Sequence, residues 1–277
     1  MMHTHIIDKK VPGNYARVNG LNMYYEIYGA GFPMIVLHGG LGDISMVAPI
    51  LPVLAEGRQV IAAELQAHGH TGDIERPLSF EAMADDIAAL IGQLGLQKAD
   101  LMGYSLGGGV ALQTAIRHPD LVRKLVSVST PCKTGGWYAE VSAGMATMNA
   151  EVGRSWIGSP LQSIYASIAP KPEDWPQLVA KMGQLLRQDY DWSKDFAAIQ
   201  VPVMIAFGDA DAVRPAHAVE MFELLGGGQR DAGWDGSGVP NARLAILPGT
   251  THYNIFSSPA LAAAVISFLD APMPTAS

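Results

Sequence analysis

The sequence predicts an α/β protein: a mostly parallel, eight-stranded sheet with helices on both faces and a small helical insertion. Three observations lead there. Short continuous apolar runs, such as residues 34–37 and 203–207, read as strands buried on both faces. Runs with helical spacing, such as residues 80–94, alternate with them, which is the pattern of a parallel sheet. That alternation stops over residues 131–199, where Trp, Tyr and Met recur at helical spacing, and it returns afterwards.

Each element has its own signal. Residues 15–29 predict a β-hairpin turning at Asn19-Gly20, with Leu21, Met23, Tyr25 and Ile27 on one face. Residues 34–37 predict a strand running into His38-Gly39-Gly40-Leu41-Gly42, followed by a helix over 44–55. Residues 59–65 read as the next strand, followed by a loop with His68, His70 and Gly72. Ser79 is placed to cap the helix over 80–94, and Gly95 to stop it. A strand over 99–102, a helix over 110–117 closed by His118-Pro119, and a strand over 121–128 come next.

After the insertion come a strand over 203–207, Gly208-Asp209-Ala210-Asp211, and a helix over 217–225. The glycine-rich stretch 226–240 has neither the preceding strand nor the Gly-Lys-Ser/Thr ending of a phosphate loop. A strand over 244–247, the loop Gly249-Thr250-Thr251-His252 and a helix over 259–269 close the chain. The expected domains are a core of residues 1–130 and 200–277 and a helical cap of residues 131–199, which carries four of the five tryptophans.

Bulk properties narrow the function. With 277 residues, 49% apolar and 16% charged, the chain can bury a large core and is not of the disordered class. A net charge of −8 without any basic run argues against nucleic acid or an anionic membrane as partner. Cys132 is the sole cysteine, so neither an internal disulfide nor a CxxC metal site is available. Residues 1–5 show no basic-then-apolar signal, no run approaches the ~18 apolar residues of a membrane span, and residues 272–277 read as a frayed tail. The resulting expectation is a cytoplasmic protein. Oligomeric state stays open.

The chemistry gathers at Gly103-Tyr104-Ser105-Leu106-Gly107. A Gly-x-Ser-x-Gly pattern is expected about 0.2 times by chance in this composition, so its setting carries the weight. A strand precedes it and a helix follows. Glycines two before and two after the serine permit a sharp turn, which exposes the Ser105 hydroxyl and places the Leu106 N–H at a helix N-terminus. A serine hydroxyl needs a base, and that base needs an acceptor on its other nitrogen. His252 follows the last strand, and Asp209 and Asp211 follow the strand before it. All stand at C-terminal strand ends, where parallel sheets collect their sites.

In the order Ser, Asp, His, the chain resembles the α/β-hydrolase family, close to its capped esterases, cofactor-free haloperoxidases and C–C hydrolases. The residues that carry the resemblance are His38-Gly39-Gly40, the Ser105 turn, residues 208–215 and Pro248-Gly249-Thr250-Thr251-His252. The resemblance covers residues 15–130 and 200–270, and the cap matches nothing specific. It implies Asp211, four residues before Pro215, as the acid rather than Asp209, and the N–H groups of Leu106 and Gly40 as an oxyanion hole. It also implies that Ser105 at the turn, where dehalogenases and epoxide hydrolases carry aspartate, forms an acyl-serine.

The other histidines have structural readings. His38 ties its loop to the sheet, His118 meets a helix end, His217 begins a surface helix, and His3 and His5 lie in the N-terminal tail. His68-Gly69-His70 with Asp73 matches only part of a metal motif, so no metal and no cofactor are expected. The expected function is hydrolysis of a small-to-medium apolar carboxylic ester. A C–C hydrolase or perhydrolase on the same triad and a non-catalytic ligand receptor of the same fold are the alternatives.

Overall fold

The structure is a computed structural model that describes residues 11–273; the expectations for residues 1–5 (His3 and His5 among them) and for most of the tail at 272–277 lie outside the described residues. Eight strands form one sheet: β1 (Asn14–Val18), β2 (Leu21–Gly29), β3 (Phe32–Leu37), β4 (Arg58–Ala63), β5 (Ala99–Tyr104), β6 (Val122–Val128), β7 (Val203–Ala210) and β8 (Arg243–Thr251). Their spatial order is β1-β2-β4-β3-β5-β6-β7-β8. β1 and β2 are antiparallel, as are β2 and β4, and every other pair is parallel.

The β1–β2 turn uses Asn19 and Gly20 at φ of 47° and 88°. Two successive positive φ values are what a two-residue hairpin needs, and Asn-Gly accepts them at least cost. The inner strands are buried on both faces. Ile35, Leu37, Ile61 and Leu101 enter one apolar cluster, and Met34, Val36, Val60 and Met102 enter the other. Each such side chain contributes roughly 1.5–3 kcal/mol by leaving water.

Helices α1 (Leu51–Leu54), α2 (Phe80–Gln93), α3 (Leu106–Arg117), α4 (Ala139–Ala146), α5 (Ala150–Ser155), α6 (Pro160–Ile168), α7 (Trp175–Leu186), α8 (Ser193–Ala197), α9 (Pro215–Leu224) and α10 (Pro259–Asp270) complete the chain. Ser79 caps α2, accepting from the Ala82 N–H, and Gly95 follows it at φ 68°. Lys124 on β6 is buried, and its Nζ donates to the carbonyls of Phe268, Leu269 and Ala271 at the end of α10. The cation thus meets orphan carbonyls at a helix C-terminus.

Three expectations are corrected. Residues 44–55 do not form one helix. A 3₁₀ turn, Ile44–Met46, precedes the single turn of α1, because Pro49 disfavours helical backbone at Ala48. β8 runs past 247 to Thr251; it is an edge strand, where Pro248 costs no ladder bond that a neighbour needs. His217 is on α9 but buried, with Nε2 accepting from the Cys132 N–H at 3.3 Å and Nδ1 facing Glu220 at 2.9 Å.

Candidate active site

Ser105 is the hinge between β5 and α3, at φ 53° and ψ −114°. This left-handed conformation is strained for a residue with a Cβ, and the surroundings impose it. The Ser105 N–H donates to the Val128 carbonyl at 2.9 Å, and Thr130 Oγ1 donates to the Ser105 carbonyl at 2.8 Å. A Cβ on Gly103 would lie 2.0 Å from the Gly107 carbonyl oxygen, and one on Gly107 2.5 Å from the His38 carbonyl oxygen. The two flanking glycines are therefore required by contact with backbone, which cannot yield as a side chain could.

The structure brings Ser105, His252 and Asp211 together. His252 Nε2 stands 3.1 Å from Ser105 Oγ, and His252 Nδ1 stands 3.0 Å from Asp211 Oδ1. Asp211 also accepts from Ser129 Oγ at 2.5 Å, the Gly208 N–H at 3.1 Å and the Val213 N–H at 3.2 Å. Asp209 is elsewhere, accepting from the Thr250 N–H at 3.2 Å and so bracing the end of β8, just before the loop that carries His252. Tyr104 donates its hydroxyl to the His252 carbonyl at 2.6 Å, fixing that loop from the strand that leads to Ser105.

A family model described as the alpha/beta hydrolase fold matches residues 33–136. The chain has the α/β-hydrolase fold. Among relatives, a putative carbamate hydrolase RutD from Azorhizobium caulinodans is 26% identical over 253 residues, covering 86% of this chain and 91% of that protein. Among solved structures, E-2-(acetamidomethylene)succinate hydrolase superposes with a TM-score of 0.73 at 22% identity, covering 95% of this chain and all of the other. Carboxylesterase CesB (YbfK) from Bacillus subtilis superposes with a TM-score of 0.70 at 20% identity, covering 95% of this chain and 93% of that one.

Within this α/β-hydrolase frame the electrostatics are directional. Burial pushes the Asp211 carboxyl up, but hydrogen bonds from His252, Ser129 and Gly208 and the imidazole's charge outweigh it and hold the group below its ordinary value. Asp211 is therefore an anion at neutral pH. An anion facing Nδ1 keeps the imidazole proton there and leaves the Nε2 lone pair turned to Ser105. That arrangement can take a proton from the hydroxyl and return it later.

Gly40 and Leu106 line the cavity beside Ser105, and a Cβ on Gly40 would lie 3.8 Å from the Leu106 Cβ. Leu106 is the first residue of α3, so its N–H has no intrahelical acceptor. The cavity has a volume of about 220 Å³. Its other walls are mainly apolar: Val141, Met145 and Met148 from the α4 region, Met182 and Leu186 from α7, and Phe80, Trp137 and Tyr190.

Among the described residues, the other histidines make structural contacts. His38 Nδ1 faces the Gly39 carbonyl at 2.7 Å and Nε2 accepts from the Leu65 N–H at 3.1 Å, which ties the loop after β3 to the segment just after β4. His118 closes α3, its backbone N–H donating to the Thr114 carbonyl at 2.8 Å, while its side-chain Nε2 faces Asp85 at 2.7 Å. His70 pairs with buried Glu64. Cys132 lies 3.7 Å from His217 Nε2, yet burial pushes its thiol up to about 11, so it is not a thiolate nucleophile at neutral pH. Among the described residues, no group of three or more His, Cys, Asp or Glu side chains converges as metal ligands would, and no helix is long and apolar enough to cross a membrane.

Sequence reasoning missed Ser129. It sits just after β6 at φ 53° and holds the Asp211 oxygen that His252 does not use. The available signal was a serine at the C-terminal end of the strand adjacent to the one carrying Asp211.

Proposed function

We propose that this protein is a serine hydrolase that cleaves small-to-medium apolar carboxylic esters through an acyl-Ser105 intermediate. The observation that carries the reading is the continuous chain Ser105–His252–Asp211, at 3.1 and 3.0 Å, opening on an apolar cavity. His252 Nε2 removes the Ser105 proton as Oγ attacks the ester carbonyl. Asp211 stabilises the imidazolium that results. The N–H groups of Leu106 and Gly40 receive the oxyanion, each such donor being worth roughly 3–4 kcal/mol. His252 then protonates the departing alkoxide, activates water against the acyl-enzyme, and returns the proton to Ser105 as the acid leaves.

Residues 131–199 are the cap in this reading, closing over the cavity with Val141, Met145, Met148, Met182 and Leu186. The core is then residues 1–130 and 200–277. That carboxylesterase CesB from Bacillus subtilis shares this fold is compatible with ester chemistry.

Turnover of p-nitrophenyl butyrate by the wild type and by Ser105→Ala tests this. Activity is expected in the first and a loss of at least about 10³-fold in the second. Equal rates would reject the proposal, as would a fluorophosphonate probe that modifies some residue other than Ser105.

A further inference from the structure

Lys181 is the feature that the proposed chemistry does not use. It lies on α7, within the helical segment between β6 and β7, and is only 9% exposed. Its Nζ donates to the carbonyls of Ile74 at 3.0 Å and Arg76 at 2.9 Å, and pairs with Asp73 at 2.5 Å. All three partners belong to the loop after β4, in the α/β part of the chain. Removing an amino group from water is costly unless partners replace the water, and these three contacts do so.

That loop is itself held. Gln66 Nε2 donates to Asp73 at 2.8 Å and to the Arg76 carbonyl at 2.9 Å. Arg76 Nε donates to Gln66 at 2.8 Å, and Arg76 also pairs with buried Asp86 of α2 at 2.5 Å. The chain of polar contacts therefore runs from α2 through the loop to α7 without a break.

The next residue on α7 is Met182, which reaches the cavity. Its methyl group packs against Gly40, where an added Cβ would come within 2.7 Å of Met182 Cε. Methionine alone is a poor gauge of size, because its three torsions let it adapt. Fixed at its root, it becomes a defined wall.

We propose that Lys181 is a positioning residue, clamping α7 to the loop at Asp73–Arg76 so that Met182 sets the substrate size limit beside Gly40. This rests on the proposed ester hydrolysis at Ser105. Without the clamp, α7 recedes, Met182 leaves Gly40, and the cavity accepts a longer chain.

The test compares kcat/KM for p-nitrophenyl esters from acetate to octanoate, in wild type, Met182→Ala, Lys181→Arg and the charge-balanced pair Lys181→Met with Asp73→Asn. The octanoate-to-butyrate ratio is expected to rise about tenfold in Met182→Ala, the scale on which pockets discriminate methylene-sized changes. It rises in the same direction in the Lys181→Met pair, mainly through KM for the longer ester, and returns toward wild type in Lys181→Arg. Alkyl fluorophosphonates of short and long chain read the same ratio as labelling rates at Ser105. A Lys181→Met pair with a lowered melting temperature but an unchanged ratio would overturn the inference and leave Lys181 a strut. If the wild type neither turns over esters nor takes label at Ser105, the hydrolase reading itself has failed, which is a distinct result from a ratio that stands still in an active enzyme.

Discussion

Replacing Asp211 by asparagine tests the proposed site most sharply, because the structure fixes what the amide would meet. The carboxylate accepts from His252 and the Val213 N–H at Oδ1, and from Ser129 and the Gly208 N–H at Oδ2. An amide nitrogen must occupy one of these two places, and a backbone N–H already points at each. Either orientation leaves a buried backbone donor facing another donor, at a cost of about 1–3 kcal/mol. Ser129 can rotate its hydroxyl to accept, but turning the amide toward His252 forces the imidazole proton to Nε2, where it faces Ser105. The anion that would balance the imidazolium is gone in both cases. A fall in kcat of about 10⁴-fold is expected, as when the triad acid of other serine hydrolases is neutralised, equivalent to about 5.5 kcal/mol of barrier. The assay is p-nitrophenyl butyrate turnover beside a thermal melt, with Asp209→Asn as the control that keeps the Asp211 contacts. If Asp211→Asn stays within about tenfold of wild type while Asp209→Asn collapses, the reasoning is refuted and the acid is Asp209.

Two further outcomes follow from buried polar groups. Ser129→Ala removes one hydrogen bond to a charged carboxylate, roughly 1.5–3 kcal/mol; kcat/KM should drop about ten- to hundredfold with KM little changed, and an undiminished rate would remove Ser129 from the site. His68 is buried, and that burial, with His38 beside it, pushes its imidazole down to about 3. Its folded value lies below the unfolded one near 6.5. Below about pH 6.5 the unfolded chain therefore takes up a proton that the folded chain does not. Its contribution is stability lost as pH falls from about 6.5 toward 3, at about 1.4 kcal/mol per pH unit. Urea melts of His68→Phe should show a shallower acid loss than wild type by that slope, and identical slopes would contradict the assignment.

The sheet was legible because its strands are buried on both faces. Runs such as 34–37 and 203–207 carry no polar residue that could confuse their reading. Ser105 was legible for a steric reason: the flanking glycines that backbone contact demands are visible as letters. What failed was set by neighbours rather than by local pattern. His217 looks like a surface histidine on its own helix, and only the packing of α9 against the Cys132 segment buries it. β8 could not be read past 247, since Pro248-Gly249 signals a turn until the strand is known to lie at an edge. The roles of Ser129 and Lys181 depend on partners 82 residues and about a hundred residues away, Asp211 and the carbonyls of Ile74 and Arg76, and no spacing rule reaches that far.

The sheet order also explains why the site needs more than its three central side chains. Ser105 follows β5 and His252 follows β8, with β6 and β7 between them. Strands about 4.8 Å apart put those two ends about 14 Å from one another, yet Ser105 Oγ and His252 Nε2 are 3.1 Å apart. The loop after β8 must therefore return across the top of the sheet, and each strand that it crosses supplies a holding contact. Asp211, from the segment just after β7, takes His252 Nδ1; Ser129, just after β6, takes Asp211; and Tyr104, the last residue of β5, takes the His252 carbonyl. A fold whose neighbouring strands end at one level can hold an imidazole this way with short side chains alone. The long-range order Ser, Asp, His along the chain is then the order in which β5, β7 and β8 are laid down, and Ser129 completes it from the one strand, β6, that the three-residue pattern leaves out.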